Sequence, residues 1–367
     1  MSWSNGKQGR KRSRASLEDK LFKYAVMGVA ALVLALLWTL VSKLVLDALP
    51  SMEAFGIGFL TSTVWDPNRE LYTALPFIFG TLVTSAVAIA IGVPISIGIA
   101  IYLSELAPAS VREPLSFLIE LLAAVPSVIY GLWAIYTLRP LLTGSVEPFL
   151  IDTLGWTPFF EGAAFGIDKL AAGIILAIMI IPTVASVSKE SMMAVPDSQR
   201  EAALSLGATK YETTRIAVLS YARSGIFGAT ILGLGRAVGE TMAVTMTIGN
   251  ANIISWSLLD PGQTMASVIA NNWGEADGLM LSSLIEIGVV LFVVALMVPV
   301  LGPDRDRKGE PETEEQESGQ RSRGNGVGGD RHEGPPGGEI LSQIARGEGA
   351  VRERCAGPAS GLDAERE

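Results

Sequence analysis

Six apolar segments of bilayer length run along this 367-residue chain and limit what it can fold into. A helix that crosses the hydrocarbon core needs roughly 20 residues. Lipid cannot satisfy the backbone polar groups of loops or sheet edges, so these segments must be helices. The sequence therefore predicts an all-α membrane protein with six transmembrane helices. The predicted spans are about Tyr24 to Val45, Leu75 to Leu103, Leu115 to Leu138, Leu170 to Val187, Ser224 to Gly249 and Met280 to Leu301.

Basic residues indicate the orientation of these spans. Lys and Arg collect before the first span and between the fourth and fifth, whereas the connection after the first span has only Arg69. Because positive residues stay on the cytoplasmic side, we predict a multi-pass plasma-membrane protein with both termini in the cytoplasm. The first apolar stretch is too long for the core of a signal peptide, so we interpret it as a span.

The composition divides the chain into three parts. Residues 1–23 form a basic cytoplasmic segment, interpreted as a topology determinant near anionic lipid and not as a nucleic-acid site. Residues 24–301 form the six-helix transmembrane domain. Residues 302–367 are polar and rich in Gly and Glu, with too little apolar surface to offset the entropy of ordering, so we predict a disordered cytoplasmic tail.

The residue types missing from the apolar part exclude several kinds of chemistry. Cys355 and His332, the only cysteine and the only histidine, both lie in the polar tail. The membrane part therefore has no Ser-His or Cys-His catalytic system and no thiolate or imidazole metal site. The chain also lacks the glycine-rich loop that binds the phosphates of ATP. We predict no catalytic residues, no metal and no cofactor in this chain.

The fifth predicted span carries two opposite charges, Arg236 and Glu240. Charges within a bilayer are costly and usually mark the path of a polar substrate. Residues four apart on a helix share a face, so these two can pair, and a guanidinium presents a fork that matches the oxygens of an oxyanion. Thr241, Thr245 and Asn250 are predicted to extend this polar track. The alternative is an ion pair that only locks helices together.

Small and acidic residues elsewhere in the spans have simpler interpretations. Gly235 and Gly239 are four residues apart, so they are predicted to let another helix approach closely. Glu120 and Glu286 lie near the ends of their spans, from which a carboxylate can reach the lipid headgroups.

A polar segment at about 189–223 separates the fourth and fifth spans. It contains a predicted short helix with Glu201, Ala202 and Ala203, which ends at Gly207. Alone, this is an ordinary surface helix. Beside a bundle that lacks an energy source, it resembles the coupling segment of ATP-binding-cassette (ABC) importer permeases, in which a cytoplasmic helix docks on the ATPase.

The coupling pattern of those permeases is E-A-A, three residues, G, nine residues, then I-x-L-P. The chain matches its first part and keeps Leu219, but Ala217 stands where isoleucine is usual and Ser220 where proline is usual. The resemblance therefore implies a docking helix, while the turn into the fifth span departs from the pattern.

Three further stretches resemble the PstC family of phosphate permeases. They are residues 235–250, with Gly-Arg-Ala-Val-Gly-Glu-Thr-Met-Ala-Val-Thr-Met at their start, residues 75–82 and residues 125–133. The sister PstA family shares the R-A-x-G-E core but typically not the Met-Ala-Val-Thr-Met continuation. The resemblance covers roughly residues 71–301.

This resemblance implies a type I ABC importer permease fold with a cytoplasmic coupling helix, and a subunit that translocates inorganic phosphate. The implied partners are a homologous PstA-like permease, a PstB-like ATPase dimer that hydrolyses ATP, and an extracytoplasmic PstS-like phosphate-binding protein. Two alternatives stay open. One is a permease for another oxyanion such as molybdate or sulfate, and the other is an ion-coupled carrier that needs no ATPase.

Overall fold

The computed structural model describes residues 6–300, with side chains for residues 20–297. Within that part the regular structure is helical, and two isolated bridges are its only β contacts. The predicted tail 302–367 lies outside the described residues. The α-helices are α1 (Gly6–Phe55), α2 (Gly58–Thr61), α3 (Leu75–Ile101), α4 (Ala109–Ala124), α5 (Ser127–Trp133), α6 (Arg139–Leu141), α7 (Glu147–Leu154), α8 (Lys169–Met193), α9 (Asp197–Ser205), α10 (Lys210–Thr213), α11 (Leu219–Gly239), α12 (Met242–Thr247), α13 (Met265–Asn272) and α14 (Gly278–Val300).

Short irregular turns extend several of these helices. A 3₁₀ turn lies in the connection between α2 and α3, and π-helical turns follow α3, α5, α6 and α10. A π turn carries one more residue than an α turn, so it shifts the faces that the following residues present. The 3₁₀ turn is Pro67–Arg69, and the π turns are Tyr102–Leu106, Ala134–Leu138, Leu142–Val146 and Thr214–Val218.

Helices long and apolar enough to cross a membrane account for the predicted spans. Five stand alone, and a bent pair supplies the sixth. The fold is therefore all-α with six spans, as predicted, when the bent pair is counted as one. The five single spans are Lys20–Phe55, Leu75–Leu106, Lys169–Met193, Lys210–Gly239 and Gly278–Met297.

The third predicted span, Leu115 to Leu138, is not one straight helix. The chain bends by 92° between Ala109–Ala124 and Ser127–Leu154. Pro126 causes the break, because it has no N–H to donate and forces the preceding residue out of the helical region. Val125 accordingly has φ −65° and ψ 129°. Apolar length predicted the crossing here but not its shape.

The fifth predicted span, Ser224 to Gly249, also differs from a single helix. α11 ends at Gly239, Glu240 is extended with φ −70° and ψ 126°, and the short helix α12 follows. Arg236 and Glu240 are therefore not one turn apart on a continuous helix. This break changes the candidate site described below.

The centre of the bundle is α8, which packs between α3 and α11. Most of its apolar stretch is buried, and the core around it includes Ala88 of α3, Ile180 and Val184 of α8, and Ala229 of α11. Burying apolar side chains on both sides of one helix fixes the relative positions of its neighbours. In this conformation the packing therefore fixes the positions of polar side chains on α8 and α11.

A second contact joins α1 to α14 and contains a buried carboxyl group. The Ser51 and Ser283 hydroxyls lie 3.0 Å apart across it, and Glu286 beside them is 5% exposed. The prediction that Glu286 reaches the lipid headgroups is therefore wrong, whereas Glu120 is exposed. Glu286 faces α1 because it lies three residues after Ser283, on the side of α14 that contacts Ser51.

Two buried acids meet at the beginning of α8. Asp168 caps the helix, because its Oδ1 accepts a hydrogen bond from Ala171 N at 2.8 Å, and Glu147 Oε2 accepts one from Gly166 N at 3.1 Å. Burial raises the pKa of Asp168 from its ordinary 3.8 to about 7, and the neighbouring Glu147 adds to that rise. The group therefore holds its proton over much of the mildly acidic range.

Candidate functional site

Arg236 lies in the last turn of α11 and faces α8. Its side chain is half buried, and Nη1 donates a hydrogen bond to the Thr183 hydroxyl of α8 at 3.3 Å. Thr183 was missed from the sequence, although a threonine directly after Pro182 in an apolar span was an available signal.

The Arg236 guanidinium has N–H donors that make no hydrogen bond to another described residue. Among the described residues Arg236 donates one hydrogen bond, to Thr183, and none of its nitrogens is buried without a partner. A guanidinium presents several N–H groups in a fixed fork. The remaining donors of Arg236 therefore stay accessible, which is the property that an oxyanion site requires.

Glu240 does not pair with Arg236. The four ion pairs found between residues 20 and 297 join other side chains. Instead, Glu240 Oε1 accepts a hydrogen bond from Ala243 N in the first turn of α12, at 3.4 Å. The predicted pair fails because α11 ends between the two residues, and a carboxylate is favourable at the beginning of the next helix.

The other predicted pathway residues lie in sequence beyond the break, and their side chains bond to nearby backbone. The Thr241 hydroxyl donates to Gly239 O at 3.4 Å, and the Thr245 hydroxyl donates to Thr241 O at 2.7 Å. Asn250 Nδ2 donates to Thr245 O at 2.8 Å, and Asn250 itself has φ 53°. Each side chain keeps an oxygen that can accept a hydrogen bond, and Asn250 keeps one N–H as well, whereas the single donor of each threonine is already used. Their predicted role in the pathway stays a prediction.

The two glycines predicted to pack helices do not do so within this chain. A Cβ built on Gly235 or Gly239 meets no described atom within 4 Å, whereas one on Gly233 would lie 2.5 Å from Val184 Cγ2 of α8. Residues two apart on a helix point to nearly opposite sides. The close approach to α8 therefore occurs at Gly233, and the face with Gly235 and Gly239 is open.

The predicted coupling helix is α9, Asp197–Ser205, and Gly207 ends it. Gly207 has φ +85°, a conformation that L side chains rarely adopt. Gly207 N donates to Leu204 O at 3.0 Å and Ala208 N donates to Ala203 O at 3.2 Å. This pair of bonds is the Schellman motif, which satisfies the last carbonyls of a helix.

The surface of α9 is open to a partner. Glu201 and Ala202 are exposed, and Ala203 is half buried. Beside them, Leu204 is 50% exposed and Leu206 is 89% exposed. Small and apolar side chains that project from a polar segment suit a surface that is covered by another protein.

No described cluster of three or more His, Cys, Asp or Glu side chains could hold a metal ion. The candidate site consists of the Arg236 guanidinium and the Thr183 hydroxyl that accepts its hydrogen bond.

Comparison with known proteins identifies the family. Residues 92–307 match the family model described as binding-protein-dependent transport system inner membrane component, a range that contains both Arg236 and α9. The match covers more than half of the chain.

Several curated relatives share most of their length with this chain. The phosphate transport system permease protein PstC of Haemophilus influenzae is 46% identical over 287 residues, covering 77% of this chain and 91% of that protein. PstC of Mesorhizobium japonicum is 43% identical over 290 residues, covering 78% and 89%. The probable PstC of Methanocaldococcus jannaschii is 37% identical over 263 residues, covering 70% and 83%.

Among solved structures, one chain of the inward-facing MetNI methionine ABC transporter aligns with 65% of this chain and 96% of its own length. The TM-score is 0.47 and the identity 17%. From the family match and the curated relatives, this chain belongs to the binding-protein-dependent transport system inner membrane components, and within them to the PstC family of phosphate transport permeases.

Proposed function

We propose that this chain is one permease subunit of an ATP-driven importer and that its substrate is inorganic phosphate. The observation that carries the proposal is Arg236, a half-buried guanidinium within the bundle that has a hydroxyl neighbour and accessible donors. A guanidinium binds phosphate oxygens bidentately, and such charge-assisted bonds are strong. The PstC names of the curated relatives support the choice of phosphate.

The neutral neighbour of Arg236 affects how tightly an anion is held. A guanidinium paired with a carboxylate offers an anion a weakened charge, whereas one bonded to Thr183 offers its full charge. Release of phosphate then requires a change in the surroundings of Arg236. When the transporter switches between its inward-open and outward-open states, a movement of α11 relative to α8 supplies that change, because the two helices carry Arg236 and Thr183.

The partners follow from what the chain lacks. One subunit offers half of a pathway, so a homologous PstA-like permease completes it, and the open face with Gly235 and Gly239 is where another helix can approach. A PstB-like ATPase dimer docks on α9 and on its counterpart and hydrolyses the ATP. A PstS-like extracytoplasmic protein delivers phosphate. The positive-inside rule favours a cytoplasmic position for α9 and for both termini.

The test is uptake of labelled phosphate into proteoliposomes that contain the permease with its sister subunit, ATPase and binding protein. We expect uptake that requires ATP and is reduced by excess unlabelled phosphate but not by equal excesses of sulfate or molybdate. Uptake that sulfate or molybdate suppresses equally well would contradict phosphate specificity, and uptake without ATP would favour an ion-coupled carrier.

A further inference from the structure

Arg200 is unusually enclosed for a basic residue on a surface helix. It lies in the middle of α9, where no residue is fully buried, yet its own side chain is only 19% exposed. An arginine on a polar helix normally extends into water. Something else therefore holds the Arg200 side chain against the bundle.

Four acceptors surround the guanidinium. Nη2 donates to Glu105 Oε1 at 3.0 Å and to Met192 O at 2.9 Å. Nη1 donates to Asp197 Oδ1 at 3.2 Å and to Val195 O. The Glu105 side chain is 13% exposed, whereas that of Asp197 is 89% exposed. Only the contact with Glu105 is an ion pair sheltered from water, and sheltered pairs are screened least.

These acceptors belong to three different elements. Met192 is in the last turn of α8 and Val195 follows it, where carbonyl groups lack helical partners and attract a cation. Glu105 lies in the π turn Tyr102–Leu106 that ends α3. A single side chain of α9 therefore joins the ends of α3 and α8, the two helices with the most extensive contact in the bundle.

The end of α3 is itself fixed in place. Arg112 Nη2 donates to Ser104 O at 3.1 Å and to Ala107 O at 3.3 Å, so the chain on both sides of Glu105 is held by a second guanidinium. A carboxylate on a fixed turn is a firm partner for Arg200, because little side-chain or backbone freedom is lost when the bond forms.

We infer that the Arg200–Glu105 pair is a positioning link that transmits movement of α9 to α3. The bonds from Arg200 to the carbonyl groups of Met192 and Val195 transmit the same movement to the end of α8. The inference rests on the proposed function, because it assumes that an ATPase moves α9. The exposed residues Glu201, Leu204 and Leu206 meet the ATPase, and Arg200, whose side chain is enclosed against the ends of α3 and α8, passes the displacement into the membrane. Without this ion pair, the displacement of α9 is not transmitted to α3.

The experiment uses the assembled transporter in proteoliposomes, with labelled inorganic phosphate as the probe. The variants are Arg200→Gln, Glu105→Gln and the two together. Glu105→Gln is the sharper variant, because Arg200 keeps its bonds to Met192 and Val195 and α9 stays attached to α8. The readouts are phosphate taken up per ATP hydrolysed, retention of the ATPase in the complex, and thermal stability.

We expect the ATPase to remain bound and to hydrolyse ATP, while phosphate taken up per ATP falls by roughly tenfold in either single variant, as losing a bond to a charged group allows. The double variant is expected to be no worse than Arg200→Gln alone, since Arg200→Gln already removes the pair. The matched control is Asp197→Asn, whose exposed contact with Arg200 contributes little, so its ratio stays at the wild-type value.

Three results would overturn the inference. A wild-type ratio in Glu105→Gln shows that the pair transmits nothing. Losses that add in the double variant show that the two residues act separately, and loss of the ATPase together with uptake shows that Arg200 only holds α9 folded. The proposed function has its own readout in the same preparation, because failure of the wild-type complex to take up phosphate contradicts that function and not the link alone.

Discussion

Asp168 shows how burial determines the behaviour of a single side chain. Its carboxyl caps α8 through Ala171 N, and it lies beside Glu147, with the buried Lys169 next in sequence. Burial disfavours the charged form and outweighs the cap, which favours it, so the folded pKa of Asp168 is about 7. The group is protonated in the folded protein at pH values where an unfolded chain would release the proton.

This raised pKa predicts a pH dependence of stability. Between about pH 4 and about pH 7 the folded state binds one proton more than the unfolded state at Asp168, so the free energy of unfolding falls as pH rises through that window. Above it, this group contributes no further change. We expect the melting temperature of the purified protein to decline across the window.

The variant Asp168→Asn tests this assignment, because asparagine keeps the cap and cannot ionise. We expect a melting temperature that depends less on pH than that of the wild type between about pH 4 and about pH 7. Asp152→Asn, at an exposed acid of α7, is the control and should behave as the wild type. A wild-type pH profile in Asp168→Asn would contradict the raised pKa.

Arg236 and Glu240 illustrate what residue types alone could and could not predict. A guanidinium in an apolar span was identifiable as a candidate site, because its desolvation is costly wherever its side chain points. The residue that bonds to Arg236 was not identifiable, since the rule that pairs residues i and i+4 assumes a continuous helix. The Thr183 contact depends on how α8 packs against α11, and that information is not local to either segment.

Among the helices, α11 shows two sides with different roles. One side carries Ala229 and Gly233 and packs on α8, and the other carries Gly235 and Gly239 and meets no described atom. The sequence indicated that small residues let a helix approach but not on which side, because glycines occur on both. The packing therefore assigns Gly233 to the core of this chain.

This division predicts opposite outcomes for the same substitution. The added methyl of Gly233→Ala would lie 2.5 Å from Val184 Cγ2, and overpacking of this kind costs about 1–3 kcal/mol. We expect a lower melting temperature for the purified subunit. Gly235→Ala, the matched control, adds its methyl to open space and should leave the subunit as stable as the wild type. Equal destabilisation by both would contradict the orientation of α11.

The two breaks in predicted spans share one cause. Hydropathy measures how apolar a segment is and how long, and those properties predicted six crossings, of which the structure forms five as single helices and one as a bent pair. It does not report backbone conformation, so it missed the 92° bend after Ala124 and the extended residue Glu240. Pro126 gave a local signal for the first break, whereas Gly239 and Glu240 gave a weaker one for the second.

The whole molecule has the surface of a subunit rather than of a finished transporter. Most large apolar side chains of α1 between residues 21 and 49 are exposed, and so is the Gly235 side of α11. Lipid and a homologous permease can cover such surfaces without desolvating polar side chains. On the polar side, α9 presents Leu204 and Leu206. These surfaces agree with a chain whose pathway and energy source are completed by other subunits.

The most direct test of the central claim is labelled-phosphate uptake by Arg236→Gln in the complete transporter. Glutamine keeps polarity and approximate length but loses the charge and the fork that bind an oxyanion. The matched control is Arg69→Gln, at a side chain that is 78% exposed. We predict that Arg236→Gln assembles and hydrolyses ATP but takes up no phosphate above background, while Arg69→Gln transports normally. Wild-type uptake by Arg236→Gln would contradict the claim that this guanidinium binds the substrate.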